Sequence, residues 1–261
     1  YCNYQLQLRA DGIQIPKLQQ ALFVSCKLLP MKLHEPTNEF ISEILNSYSN
    51  DGGNELNDKL LKLFQEFNND KNKFDVQIKV AALNTIYATA IININPVSEQ
   101  IIKLTIQNVG CNNLHDYIKL IDNMAKVKWT NRKGESFQRN NLSFASKYVH
   151  FLSKYETPIY DSYAWLIIKG YLGQCTNEKM SFTPPKDFAD FYATFEKFKK
   201  ELKLDRHTNY ELDKFLWHYG KMKIREIEKE LSCTLSKAKS ELQKRLKKST
   251  ANKGFSVMVA D

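Results

Sequence analysis

Apolar residues along this chain recur every three to four positions far more often than every second one. Short polar breaks separate the runs, and the pattern predicts helix after helix. Lys17 to Leu29 is the first amphipathic segment, with Leu18, Leu22 and Cys26 in one stripe. Phe40 to Tyr48 and Leu56 to Phe67 follow, divided by the glycine-bearing break Ser49-Asn50-Asp51-Gly52-Gly53-Asn54. Segments near 76 to 92, 98 to 108 and 114 to 126 come next, the last capped by Asn113 with Asp116 three residues on. A further amphipathic stretch covers Leu142 to Phe151. Another begins at Ser162 and carries Lys169 and Gly170 as stop signals. Thr208 and Glu211 form a capping box ahead of Leu212 to Tyr219. Alternation with period two is scarce, so the expected fold is all-α.

Two segments break the pattern. Between Lys128 and Asn141 the chain is polar, basic and punctuated by Trp129 and Phe137, which suits a loop that meets a polyanion and offers aromatic rings to a base. The alternative is an ordinary surface loop. From 221 to 253 there are 11 Lys or Arg against four Glu, on what reads as two helices striped by Ile224, Ile227, Leu231, Leu235, Leu242 and Leu246. This is a candidate electrostatic arm, or a helical hairpin docked by its leucines. The expected division is therefore a helical domain over 1–220 and a basic helical extension over 221–261.

Charge and composition narrow the partners. The 261 residues carry 38 Lys and Arg against 29 Asp and Glu, a net charge of +9, which favours a polyanionic partner without identifying one. No run of 18 apolar residues is present, and Tyr1-Cys2-Asn3-Tyr4 is neither basic nor apolar, so a soluble cytoplasmic monomer is expected, with no membrane association. Five scattered cysteines without a C-x-x-C pair read as reduced thiols and leave no ligand set for an iron–sulfur cluster. The five histidines show no metal-ligand spacing, so neither metal nor cofactor is expected.

Chemistry concentrates at Asp161. It follows Pro158-Ile159-Tyr160 and precedes a helical run, which puts its carboxylate at an N-cap, ionised and favoured by the helix dipole. Read alone, that is a capping residue. Paired with Phe144-Ala145-Ser146-Lys147-Tyr148-Val149-His150-Phe151, however, Pro158-Ile159-Tyr160-Asp161-Ser162 resembles the helix-hairpin-helix base-excision DNA glycosylases, on the branch of the 8-oxoguanine glycosylases. Lys79 to Ile91 and Leu212 to Gly220 are similar to further helices of that branch, so the resemblance spans about 75 to 220. It implies a two-lobed helical fold with a cleft, and a double-stranded DNA substrate from which a modified base is flipped out and hydrolysed off. Asp161 matches the catalytic aspartate.

The resemblance departs at two points. Leu142 and Ser143 stand where many members carry a Schiff-base lysine, which implies weak lyase activity, although Lys147 lies one turn on from Ser143 on the same face. The family's glycine-rich hairpin is degenerate, since Gly134 is the only glycine between Cys111 and Gly170. Arg132, Lys133, Gln138, Arg139, Asn141 and Ser143 are then the DNA contacts. Asn84, Tyr87, His150 and Asp213 are the candidates for reading the base, with a buried structural role the alternative for Asn84, Tyr87 and His150. Some relatives act in phage defence on glucosylated hydroxymethylcytosine, and that is the expected setting. An 8-oxoguanine glycosylase with Lys147 as lyase, and a non-catalytic helical DNA-binding protein, are the alternatives.

Overall fold

A computed structural model describes residues 30–107, 113–131, 133–176 and 180–249. The first expected helix, 17–29, lies outside them, as do Cys2, Cys26, Cys111 and Arg132. Among the described residues the regular elements are helices, apart from one β-hairpin. The order is α1 (Asn38–Asn50), α2 (Gly53–Glu66), α3 (Lys73–Tyr87), α4 (Ile94–Ile106), α5 (Leu114–Ala125), β1 (Lys126–Thr130), β2 (Ser136–Asn140), α6 (Leu142–Leu152), α7 (Ser162–Thr176), α8 (Phe188–Glu201), α9 (Asn209–Leu231) and α10 (Leu235–Ser249). No helix among them is long and apolar enough to cross a membrane.

Local chemistry sets the helix starts. Thr37, Asn72, Asn93, Asn113 and Asp187 each accept a backbone N–H in the first turn of the helix they precede. Thr208 and Glu211 form the reciprocal capping box of α9. The buried apolar residues form one continuous cluster, in which α6 and α7 supply nearly uninterrupted runs such as Phe144, Ala145, Tyr148, Val149 and Phe151. These two helices carry the site and are packed on several sides: α6 by α5, α3 and α2, and α7 by α9, α8 and α10.

Gly170, read as a stop signal, and Gly220, just past the expected helix Leu212 to Tyr219, are both packing residues inside longer helices. Helix α7 continues past Gly170 to Thr176, and a Cβ at Gly170 would lie 2.8 Å from a Leu33 methyl and 3.1 Å from one of Leu246. Helix α9 runs unbroken through Gly220, where a Cβ would lie 3.1 Å from the carbonyl oxygen of Tyr163. The expected division at 220/221 thus falls inside one helix. Beyond it, α10 returns along α9 and α7, burying Ala238, Leu242 and Leu246. Arg245 fastens the turn-back with hydrogen bonds to both Glu230 oxygens, at 2.7 and 2.8 Å, and to Glu241 at 3.2 Å.

The segment read as a basic loop is mostly the antiparallel pair β1–β2, with Trp129 opposite Phe137 and Val127 opposite Arg139. Asn131 organises its turn by accepting the N–H groups of Lys133 and Glu135, and Gly134 takes the left-handed conformation at φ 82°. β2 leads directly into α6.

Candidate functional site

Asp161 sits where two demands meet. Its backbone carbonyl accepts from Trp165, and its Oδ1 accepts from the Tyr163 N–H at 2.7 Å, so it caps α7 as the sequence predicts. Its other oxygen, Oδ2, lies 3.9 Å from the ammonium nitrogen of Lys147, and both side chains line a cavity of about 320 Å³. Cap and cavity therefore use different oxygens of one carboxylate.

Lys147 is 3% exposed. Its Nζ donates to the Ser143 hydroxyl at 2.7 Å and to the Ser143 carbonyl at 3.3 Å, one turn back on α6, and sits 5.4 Å from the centroid of the Tyr87 ring. Burial drives its pKa below the ordinary lysine value, against the opposing pull of Asp161 and Asp213, and Lys214 pushes it lower still. An amine of this kind is more readily available in its neutral, nucleophilic form than a surface lysine.

The strap that aims Asp161, Pro158-Ile159-Tyr160, is held from both sides. The Ile159 N–H donates to Asp213 Oδ1 at 2.9 Å, and the Tyr160 N–H donates to Ser146 Oγ at 3.1 Å. Asp213 also accepts from Lys214 at 2.9 Å, so a buried carboxylate on α9 ties the strap to the lysine beside it. From Asp213 the cavity follows one stripe of α9 through Lys214, Trp217 and His218 to Lys221. The eight steps from Asp213 to Lys221 are about 12 Å of helix, so the Lys147–Asp161 pair stands at one end and Lys221, with Asp51 and Gly52, at the other.

The aromatic wall of the cavity rests on a single buried amide. Asn57 donates to the hydroxyls of Tyr48 (2.6 Å) and Tyr210 (3.2 Å), and accepts from Tyr87 (3.1 Å). The Tyr48 hydroxyl passes its own proton to the Gly53 carbonyl, and that of Tyr210 to the Asn54 side chain. Trp217 meets Tyr48 edge to face at 6.1 Å, with Lys221 lying 4.7 Å from the centroid of its ring.

Of the residues expected to read a base, Tyr87 and Asp213 line this cavity and two others do not. Asn84 uses its carboxamide locally: it donates to the Ile91 carbonyl and accepts from Ile91 N–H and the Thr89 hydroxyl, holding the turn after α3 in which Ala88 and Ala90 have positive φ. His150 is fully buried, donates Nδ1–H to the Thr157 carbonyl and has its pKa driven well down by burial. It is the structural alternative realised. Ser143 is the seat of the Lys147 ammonium. Lys133 and Gln138 are exposed on the hairpin, while Arg139 and Asn141 line a separate groove beside it.

Tyr48, Lys214, Trp217 and His218 went unselected in the sequence. The last three follow Asp213 at one, four and five positions, a polar and aromatic stripe on one helix face that helical spacing makes visible once Asp213 is chosen. Tyr48 has no local signal, because it arrives from α1. No cluster of His, Cys, Asp or Glu suited to a metal ion occurs among the described residues.

A family model described as HI_0787_N, N-terminal domain, matches residues 40–156. The match takes in Tyr48, Tyr87 and Lys147 and stops before Asp161 and the α9 stripe. No curated protein and no solved structure matches the chain.

Proposed function

We propose that this protein is a DNA N-glycosylase that draws a modified base into the cavity and cleaves its bond to the sugar. The observation that carries this reading is the Lys147–Asp161 pair, 3.9 Å apart at one end of an aromatic-walled cavity. Breaking an N-glycosidic bond builds positive charge on the deoxyribose, and a fixed carboxylate stabilises that charge and can orient a water toward C1′. The other end, a further two turns of α9 away, leaves room for a base enlarged by a substituent. That suits glucosylated hydroxymethylcytosine as the substrate to test first.

The buried, depressed-pKa amine favours a second reading of the same site. Neutral Lys147 attacks C1′ and the base leaves with the bonding electrons and takes up one amine proton; the C1′–O4′ bond then breaks, O4′ takes the second amine proton, and an imine to the opened sugar results. This is the 8-oxoguanine glycosylase/lyase alternative. Incubation with a panel of duplexes, including glucosylated T-even phage DNA and 8-oxoguanine DNA, followed by mass spectrometry of released bases, decides the function. Borohydride trapping that disappears in Lys147→Ala assigns the imine route; release without trapping assigns the water route. Binding without release from any member of the panel leaves a non-catalytic DNA-binding protein.

A further inference from the structure

A second concave site lies apart from the cavity, between the β-hairpin and the start of α4. It encloses about 300 Å³ and is lined by Ile91, Val97, Trp129, Phe137, Arg139 and Asn141, among others. Strand alternation puts Val127 and Trp129 on one face of the hairpin, and the register adds their partners Arg139 and Phe137 to it. Val127 is buried against the core, but Trp129 and Phe137 overhang it with their rings stacked, centroids 5.4 Å apart at 16°, and Phe137 is 42% exposed.

Asn141 closes the inner end. It is 8% exposed, yet its carboxamide has no hydrogen-bond partner among the described residues and does not cap α6, whose first turn it begins. A nearly buried amide at the wall of an open groove is a donor and acceptor pair awaiting a ligand edge. Arg139 is the cation of the groove lining, since alternation turns Lys126 and Lys128 to the other face of the hairpin, so the groove is aromatic within and carries a guanidinium at its wall. Aromatic stacking, a free amide and an adjacent Arg are what an unpaired nucleotide needs: ring faces for the base, an amide for its edge, a guanidinium for its phosphate.

We infer that this groove binds one unpaired nucleotide of a nucleic acid strand, the base against Trp129 and Phe137 and its edge on Asn141. The inference rests on a DNA partner but not on base release, and is read by binding alone.

The test compares a perfect duplex with the same duplex carrying one bulged 2-aminopurine, whose fluorescence is quenched on stacking. The parent protein should prefer the bulged duplex by about ten-fold with quenching, in line with the energy of stacking one base on aromatic side chains. Phe137→Ala should remove most of the preference and leave perfect-duplex affinity and the melting curve in place, since its half-exposed ring is not part of the buried apolar core, and Asn141→Ala should remove most of the preference as well. Equal affinity for the two duplexes overturns the proposal. So does a preference that survives both substitutions, or one that is lost only in Trp217→Ala, which would put the extra base in the cavity.

Discussion

The two oxygens of Asp161 allow its two roles to be measured separately. Asp161→Asn keeps an oxygen for the Tyr163 N–H and loses only the charge, so it should fold with near-parental stability and release bases roughly 100-fold more slowly or worse, the scale of one electrostatic group at an active site. Asp161→Ala should lose as much activity and, in addition, about 1 kcal/mol of stability from the missing cap, visible as a lower melting temperature. Asp213 acts at the same scale through charge. Its carboxylate holds the Lys147 pKa up, so Asp213→Asn, which still accepts the Ile159 N–H, should lower that pKa further. If the neutral amine is the reacting form, the rising limb of the pH–rate profile moves to lower pH in this variant; an unmoved limb means that it does not report Lys147.

At the scale of elements, close approach governs. Gly220 is where α9 crosses the first turn of α7, the turn capped by Asp161. An alanine there gains up to about 1 kcal/mol in helix propensity. The added Cβ would meet Tyr163 Cβ at 3.0 Å and its carbonyl at 3.1 Å, and overcrowding of that kind costs about 1–3 kcal/mol, so Gly220→Ala should be destabilised in a thermal melt. It should also slow base release, because it separates Asp213 from the strap. Sequence patterning locates most of the helices, since each has an apolar stripe and many have a polar cap at the start. It misplaces the ends of α7 and α9, because a glycine that admits a neighbouring helix looks the same in sequence as one that ends its own. The hairpin stays hidden for another reason: its strands are five residues each, so the alternation Lys126-Val127-Lys128-Trp129-Thr130 is too short to stand out, and Ser136 to Asn140 has Phe137 as its one apolar residue. Lys147 and Asp161 were legible as residues. Their meeting was not, because the strap that turns Asp161 toward α6 is held by Asp213, more than fifty positions away.

For the whole molecule, the question is how the net charge of +9 is deployed. α10 is docked by its leucines and is not a free arm, and Arg245 is held by Glu230 of α9 and by Glu241 one turn back on its own helix. If α10 lies along DNA, replacing Lys244, Lys247 and Lys248 with Gln should flatten the slope of log K against log salt by up to about 3 units without changing which base is released. Arg245→Gln should instead cost about 2 kcal/mol of stability and leave the slope nearly as it was, because that cation already has its counter-charges within the protein. Titrations at several salt concentrations, with melting curves, separate the two. The same view from outside the site applies to its aromatic wall. The hydrogen bonds around Asn57 all run one way, from Tyr87 through the amide to Tyr48 and Tyr210, and on to Gly53 and Asn54. Every one of those hydroxyl protons has a fixed destination inside the protein. What the wall offers a guest is therefore ring surface without hydroxyl donors, so it sorts guests by flatness and fit and leaves the discrimination of polar edges to α9.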